Sequence, residues 1–302
     1  MLTNPPDPPA PSTRQTLSLL RRIFDSQGFD PKAKLGQNFL IDLNLVDLIA
    51  RSADLTPDDC VLEVGTGTGS LTARLADRAG AVVTVEIDRA LQPVAEQMCA
   101  GRRNVTFVRG DCLAKKSELN PHMLAEWDRV GKGYKHRKVV ANLPYVIATP
   151  LVSNLLVLDQ PIARLVIMVQ WEIAERMAAA ASTKDYNALS VLIQGLADVE
   201  IVRKVGPANF FPRPQVDSAI VRIVPNAEKR AKVGDVLKFR AFIRDLYTHR
   251  RKNLRQALIG FPRGRKDKTE VDAKLAELGL DGSIRAESLD VEQHIHLANA
   301  FG

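Results

Sequence analysis

Cysteine is scarce in this chain: Cys60, Cys99 and Cys112 are the only three in 302 residues, and they are widely spaced. They form no CxxC pair and have no histidine cluster near them, so the donor sets of a zinc site are missing and no metal is expected. Also missing is any uninterrupted apolar run of about 18 residues, which excludes an ordinary membrane-spanning helix. The first residues carry Pro5, Pro6, Pro8, Pro9 and Pro11 where a secretory signal would need an apolar core. These absences lead to the expectation of a soluble, cytoplasmic protein with reduced thiols and a disordered Pro-rich start.

What is present is a hydrophobic fraction of 45% in a length suited to one α/β domain plus a smaller unit. The net charge of +7 is unevenly placed. Between Lys238 and Lys268 eleven Lys or Arg face only Asp245 and Asp267, a local charge of +9, so the remainder sums to about −2. A charge run of this kind is often a solvated helix face; a polyanionic partner is the alternative.

Short β-branched runs alternate with longer helical stretches from Cys60 onward: Val61 to Val64, Val82 to Ile87, Val105 to Val108, Val139 to Ala141 and Arg164 to Val169. This alternation predicts a doubly wound α/β fold, a parallel sheet wrapped by helices. Two more runs, Val199 to Val205 and Ala219 to Val224, are separated by a Pro-rich loop too short for a crossover helix, which predicts an antiparallel pair at one edge. After Pro225 the pattern becomes helical: Phe239, Phe242, Ile243, Leu246, Leu254 and Leu258 recur at helical spacing, with Gly260 and Pro262 ending the run. The expected organisation is a Pro-rich tail and lead-in over 1–28, an α/β domain over 29–225, and a small basic helical domain over 226–302.

The first strand runs into Gly65-Thr-Gly-Thr-Gly69, glycines that let the backbone turn sharply and approach a ligand. Glu86 closes the next strand 21 positions after Gly65, where a carboxylate can accept from both hydroxyls of a ribose. A nicotinamide dinucleotide site would show the same acid, but its fingerprint is GxGxxG, and here position 70 is Ser; a cofactor without a pyrophosphate fits better. Asp88 lies on the same side by strand alternation and competes for the ribose role. The third strand ends in Gly110-Asp111, whose carboxylate suits either a cofactor adenine amine or the cap of the next turn. Gly65, Glu86, Asp111 and Asn142 all follow strand carboxyl ends and so face one crevice.

Asn142-Leu-Pro-Tyr145 closes the fourth strand. An adenine amine is a poor nucleophile because its lone pair is delocalised into the ring. The Asn142 side-chain oxygen and the Leu143 carbonyl can accept its two N–H groups, favouring a pyramidal nitrogen. Pro144 fixes the turn that presents that carbonyl, and Tyr145 offers a face on which a flipped base can stack.

With these residues in place the chain resembles the small-subunit ribosomal RNA adenine-N6,N6-dimethyltransferases, the family conferring kasugamycin sensitivity. The likeness is carried by Leu35-Gly-Gln-Asn-Phe-Leu-Ile-Asp42, the Gly65 loop with Leu71-Thr72, Val85-Glu-Ile-Asp88, Gly110-Asp111, Val140-Ala-Asn-Leu-Pro-Tyr145 with Thr149-Pro150, Lys184-Asp-Tyr186, Phe210 to Ser218, Arg250-Arg-Lys252, and Arg285-Ala-Glu onward to Leu297-Ala-Asn299. The resemblance implies a Rossmann-like S-adenosylmethionine-dependent methyltransferase domain with a small C-terminal helical domain. It implies that Asn38 and Leu40 join Gly65, Glu86, Asp111 and Asn142 in holding S-adenosylmethionine, and that Phe210 closes over the target base opposite Tyr145. The implied substrate is a pair of adjacent adenines in a hairpin loop of small-subunit rRNA; the +9 charge of the helical segment leads to the expectation that a monomer binds it through Arg250, Arg251, Lys252 and Arg255. A large-subunit rRNA methyltransferase of the macrolide-resistance type and a non-catalytic ribosome assembly factor are the alternatives. The segment from Cys112 to Lys138 departs from the family in length and carries Arg129, Lys132, Lys135, Arg137 and Lys138, which points to a loop and a further RNA contact; Val146 and Ala148 depart beside the catalytic turn.

Overall fold

The computed structural model describes residues 17–32, 35–261 and 266–302; the Pro-rich stretch and Pro262 lie outside them. Seven strands form the central sheet: β1 (Asp59–Val64), β2 (Ala81–Glu86), β3 (Val105–Arg109), β4 (His136–Asn142), β5 (Arg164–Gln170), β6 (Ala197–Val205) and β7 (Ser218–Pro225). Their spatial order is β3-β2-β1-β4-β5-β7-β6. The first five pair in parallel, and β7 inserts antiparallel between β5 and β6. The antiparallel pair expected at one edge is present, with β6 outermost.

Alternation along each strand divides the core into two faces. Cys60, Leu62, Val139 and Ile167 point to one side with Met123 and Trp127 of helix Pro121–Gly131 and Leu151 of helix Ala148–Leu155. Val61, Val82, Val140 and Val166 point to the other, under Leu45 and Ile49 of helix Leu43–Ser52 and Leu71 and Leu75 of helix Ser70–Ala76.

At Pro225 the sheet ends and Asn226 caps the helix Ala227–Val233 by accepting from the backbone of Glu228 and Lys229. The helices beyond share a core with the sheet instead of building a separate one. Phe239, Ile243, Leu246 and Leu258 belong to the same buried cluster as Leu62 and Val139. A Cβ placed on Gly195 would stand 3.2 Å from the Phe239 ring, so helix Ala188–Leu196 packs there through its bare backbone. Helix Leu17–Gln27 is part of the packed structure, with Leu20 and Phe24 buried against Phe29, Phe39 and Leu91. No helix among the described residues is long and apolar enough to cross a membrane.

The loop expected for the basic segment is corrected. The segment folds as helix Pro121–Gly131 and the start of β4, at the amino end of the strands, opposite the glycine loop. Four of the five cations between 129 and 138 are paired within the protein: Arg129 with Glu126, Lys135 with Asp58, Arg137 with Asp128 and Lys138 with Asp59. The last pair is buried. Lys138 Nζ donates to Asp59 Oδ2 at 2.9 Å and to the Asp54 carbonyl at 2.6 Å, and Asp59 is 0% exposed. Lys138→Met is expected to leave that carboxylate without its counter-charge and to cost about 3–5 kcal/mol. Chemical denaturation checks this; an unchanged midpoint would contradict it.

Candidate active site

The carboxyl ends of β1, β2, β3 and β4 surround a cavity of about 260 Å³. The loop after β1 turns at Gly65 and Gly69, both at φ +83°, a left-handed conformation that favours glycine. A Cβ on Gly69 would come within 3.0 Å of the Ala95 backbone, so this position also lets two helices approach. Glu86 ends β2 on the cavity wall. Its Oε2 accepts from Gly67 N and its Oε1 from Asp88 N, each at 2.9 Å. Burial pushes this carboxyl above the usual carboxylate range, although those two N–H groups favour its charge.

Asp88, the competitor for the ribose role, is taken up elsewhere. It is 5% exposed, receives Lys32 Nζ at 2.8 and 3.0 Å and Gln37 Nε2 at 2.9 Å, and is not on the cavity wall. Burial alone would push its carboxyl up; the Lys32 and Gln37 hydrogen bonds outweigh that and hold it below the usual range. Asp88 therefore clamps the segment leading to Leu35–Phe39, which forms one wall of the cavity. Asp111 reconciles both of its readings: its Oδ1 accepts from Leu113 N at 2.9 Å, closing the turn, while the residue also lines the cavity.

Asn142 is the last residue of β4, and its Nδ2 donates to the Asn38 carbonyl at 3.2 Å. That bond fixes the amide so that Oδ1 is left to accept from a substrate. Leu143 N donates to the Met168 carbonyl at 3.1 Å, Pro144 sits at φ −55°, and Tyr145 begins a short 3₁₀ turn. The Tyr145 hydroxyl shares a 2.7 Å hydrogen bond with Ser218 Oγ. Burial pushes the Tyr145 hydroxyl up, so the ring is held by a neutral anchor.

Asn38, Gly65, Glu86, Asp111 and Asn142 to Tyr145 are thus brought together. Leu40 and Phe210 are not. They face each other in a two-residue antiparallel ladder, Phe39–Leu40 against Phe210–Phe211. Leu40 is 6% exposed and Phe210 3% exposed, buried with Val46, Val205 and Ile220. Phe210 is therefore a core residue in this arrangement and is not on the cavity wall, and Leu40 lines only a recess of about 50 Å³ behind the glycine loop. Of the four cations expected to meet RNA, Arg250 is tied to Glu287 at 2.7 Å and Arg255 pairs with Asp272. Arg251 and Lys252 are exposed in the turn before helix Leu254–Ile259.

Sequence reasoning missed Ser218, which anchors Tyr145, and Lys32 with Gln37, which occupy Asp88. It also missed Glu63, a buried acid within the apolar strand β1. Thr72 Oγ1 donates to it at 2.6 Å and Thr84 Oγ1 at 2.7 Å, beneath the glycine loop. Burial pushes its carboxyl up to about 8. The signal available was an acid in an otherwise hydrophobic run.

The strand order, the glycine loop after the first strand, the acid ending the second and the cavity at the strand carboxyl ends define an S-adenosylmethionine-dependent methyltransferase. A glycine cradle and a half-buried carboxylate, on a wall that also carries Asn38, Asp111 and Asn142 and, among the described residues, no cation, suit a nucleoside cofactor with no pyrophosphate to bind. The chain belongs to the ribosomal RNA adenine dimethylase family, whose model matches residues 28–301. It is 38% identical over 295 residues to the ribosomal RNA small subunit methyltransferase A of Pelotomaculum thermopropionicum, covering 94% of this chain and 96% of the relative. It is 40% identical over 290 residues to the protein of the same name from Moorella thermoacetica, covering 95% and 96%. Among solved structures, the 23S rRNA methyltransferase ErmE is 28% identical with a TM-score of 0.62, covering 87% of this chain and 99% of that one.

Proposed function

We propose that this protein transfers methyl groups from S-adenosylmethionine to the N6 amines of adjacent adenines in a hairpin loop of small-subunit rRNA, dimethylating each during ribosome biogenesis in the cytoplasm. The observation that carries this reading is the Asn142–Tyr145 turn, held over the cavity by Asn38 on one side and Ser218 on the other. The higher identity to relatives named for the small subunit favours that rRNA over the large-subunit rRNA named for ErmE.

When bound, S-adenosylmethionine supplies an electrophilic sulfonium methyl. The protein supplies placement: Glu86 receives the ribose hydroxyls, Asp111 the cofactor's adenine amine, and Asn38 with the glycine loop closes the pocket. Asn142 Oδ1 and the Leu143 carbonyl accept the two N–H groups of the target amine and aim its lone pair into the cavity. Tyr145 supports the flipped base. The proton leaves to water after transfer, so no strong general base is needed, and orientation with a preformed electrostatic site accounts for most of the rate. Primer extension on both rRNAs is expected to stop at adenines of the small subunit; stops confined to the large subunit would overturn this assignment.

The basic helical unit contacts phosphates as a monomer. Within the cluster Arg250 to Arg255, Arg251 and Lys252 contribute most, because Arg250 and Arg255 already have carboxylate partners. Replacing both Arg251 and Lys252 by Gln is expected to reduce the slope of log affinity against log salt by roughly one to two. Filter binding over a salt series measures it, and an unchanged slope would show that this turn is only a solvated face.

A further inference from the structure

A second cavity, of about 380 Å³, opens at the same end of the sheet and has no part in the site described above. Its walls are the end of β5 with the residue after it, Gln170 and Trp171, and the segment Gln215 to Asp217 that leads into β7. The two cavities are joined through Ser218. Ser218 pairs with Gln170 across the β5–β7 ladder, and its hydroxyl holds Tyr145, so the second cavity begins one residue from the anchor of the base-stacking ring. Its walls are tied down: Trp171 N donates to the Asp217 carbonyl at 2.9 Å, and Lys204 Nζ lies 4.6 Å from the Trp171 ring centroid while pairing with Asp217 at 2.9 Å.

The chemistry of this pocket matches a nucleobase. A half-buried indole, with Lys204 over one face, gives an aromatic surface, Val216, 45% exposed, gives an apolar edge, and the Gln170 and Gln215 amides each offer a donor and an acceptor of the kind that reads base edges. The exposed Arg213, two residues before the wall residue Gln215, supplies a cation for a phosphate, and the two acids of the wall, Asp217 and Glu172, are paired with Lys204 and Arg176. A strand carrying one adenine into the first cavity must place its neighbouring nucleotide within one backbone step. We propose that the Trp171 pocket holds the nucleotide adjacent to the methylated adenine, stacked on the indole, and so selects the sequence context of the target. This inference rests on the methyltransferase reading of the first cavity.

Two measurements test it. Trp171→Ala is expected to raise KM for immature small ribosomal subunits about tenfold, the loss typical of one stacked base, with kcat and the Kd for S-adenosylmethionine unchanged and KM recovering in Trp171→Phe. Trp171 is one of two tryptophans, and the other, Trp127, is fully buried, so quenching of emission by a ligand reports on the pocket. The dinucleotide adenylyl-adenosine should quench saturably and adenosine 5′-monophosphate much less, with the effect lost in Trp171→Phe. An unchanged KM in Trp171→Ala, a KM that fails to recover in Trp171→Phe, or the absence of dinucleotide quenching would overturn the proposal. If the wild-type protein methylates no subunit, it is the reading of the first cavity that fails, and the quenching experiment still decides the second.

Discussion

Asn142→Ala is expected to lower methyl transfer to immature small subunits by about 10²–10³-fold while leaving their affinity for the protein nearly unchanged. The side chain stands at the end of β4 with its Nδ2 already committed to the Asn38 carbonyl, so its oxygen is the group available to the target amine. Removing it deletes an acceptor needed most when the nitrogen becomes pyramidal, and touches none of the cations that bind phosphate. Single-turnover transfer and filter binding, measured on the same preparation, separate the two effects. A protein that serves only as a non-catalytic assembly factor would show no transfer before the substitution and no change after it. Transfer that survives Asn142→Ala would remove the side chain from the mechanism.

Glu86→Ala is expected to weaken S-adenosylmethionine binding by about 10²-fold or more, since two hydrogen bonds to a charged acceptor are worth roughly 1.5–3 kcal/mol each. The substitution also releases Gly67 N and Asp88 N, so Glu86→Gln, which keeps an acceptor without the charge, should fall between the two proteins. Burial raises the carboxyl, and the ionised form is the one that accepts from both hydroxyls. Affinity should therefore be full above the raised pKa and fall as pH drops through it, a limb absent in Glu86→Ala. Isothermal titration across pH measures both, and the same titration with NAD should give no binding. An affinity for S-adenosylmethionine that is insensitive to Glu86 would contradict the placement.

The seven strands were legible because each is a short β-branched run whose residues are buried on alternate sides, a local pattern. The antiparallel relation of the last two was legible from the short connection. The position of β7 between β5 and β6 was not, since which strand lies beside which is settled by contacts far apart in sequence. The same limit governs the site. Glu86, Asp111 and Asn142 announced themselves by ending strands at one edge, whereas Gln37 to Leu40 carried no periodicity, and the partner of Phe39–Leu40 lies about 170 residues downstream at Phe210–Phe211. Strand alternation placed Asp88 on the correct side of the sheet, and a lysine and a glutamine from another segment then occupied it. The charge window behaved likewise: Arg250 and Arg255 are half neutralised by Glu287 and Asp272, residues that counting cations within a window leaves out.

Transfer of labelled methyl from S-adenosylmethionine to immature small subunits from a strain lacking the activity, followed by digestion to nucleosides, reads the reaction and its product together. The label is expected in N6,N6-dimethyladenosine, with Asn142→Ala blank in the same assay. Label in a nucleoside other than an N6-methylated adenosine, or no label at all, would refute that reaction.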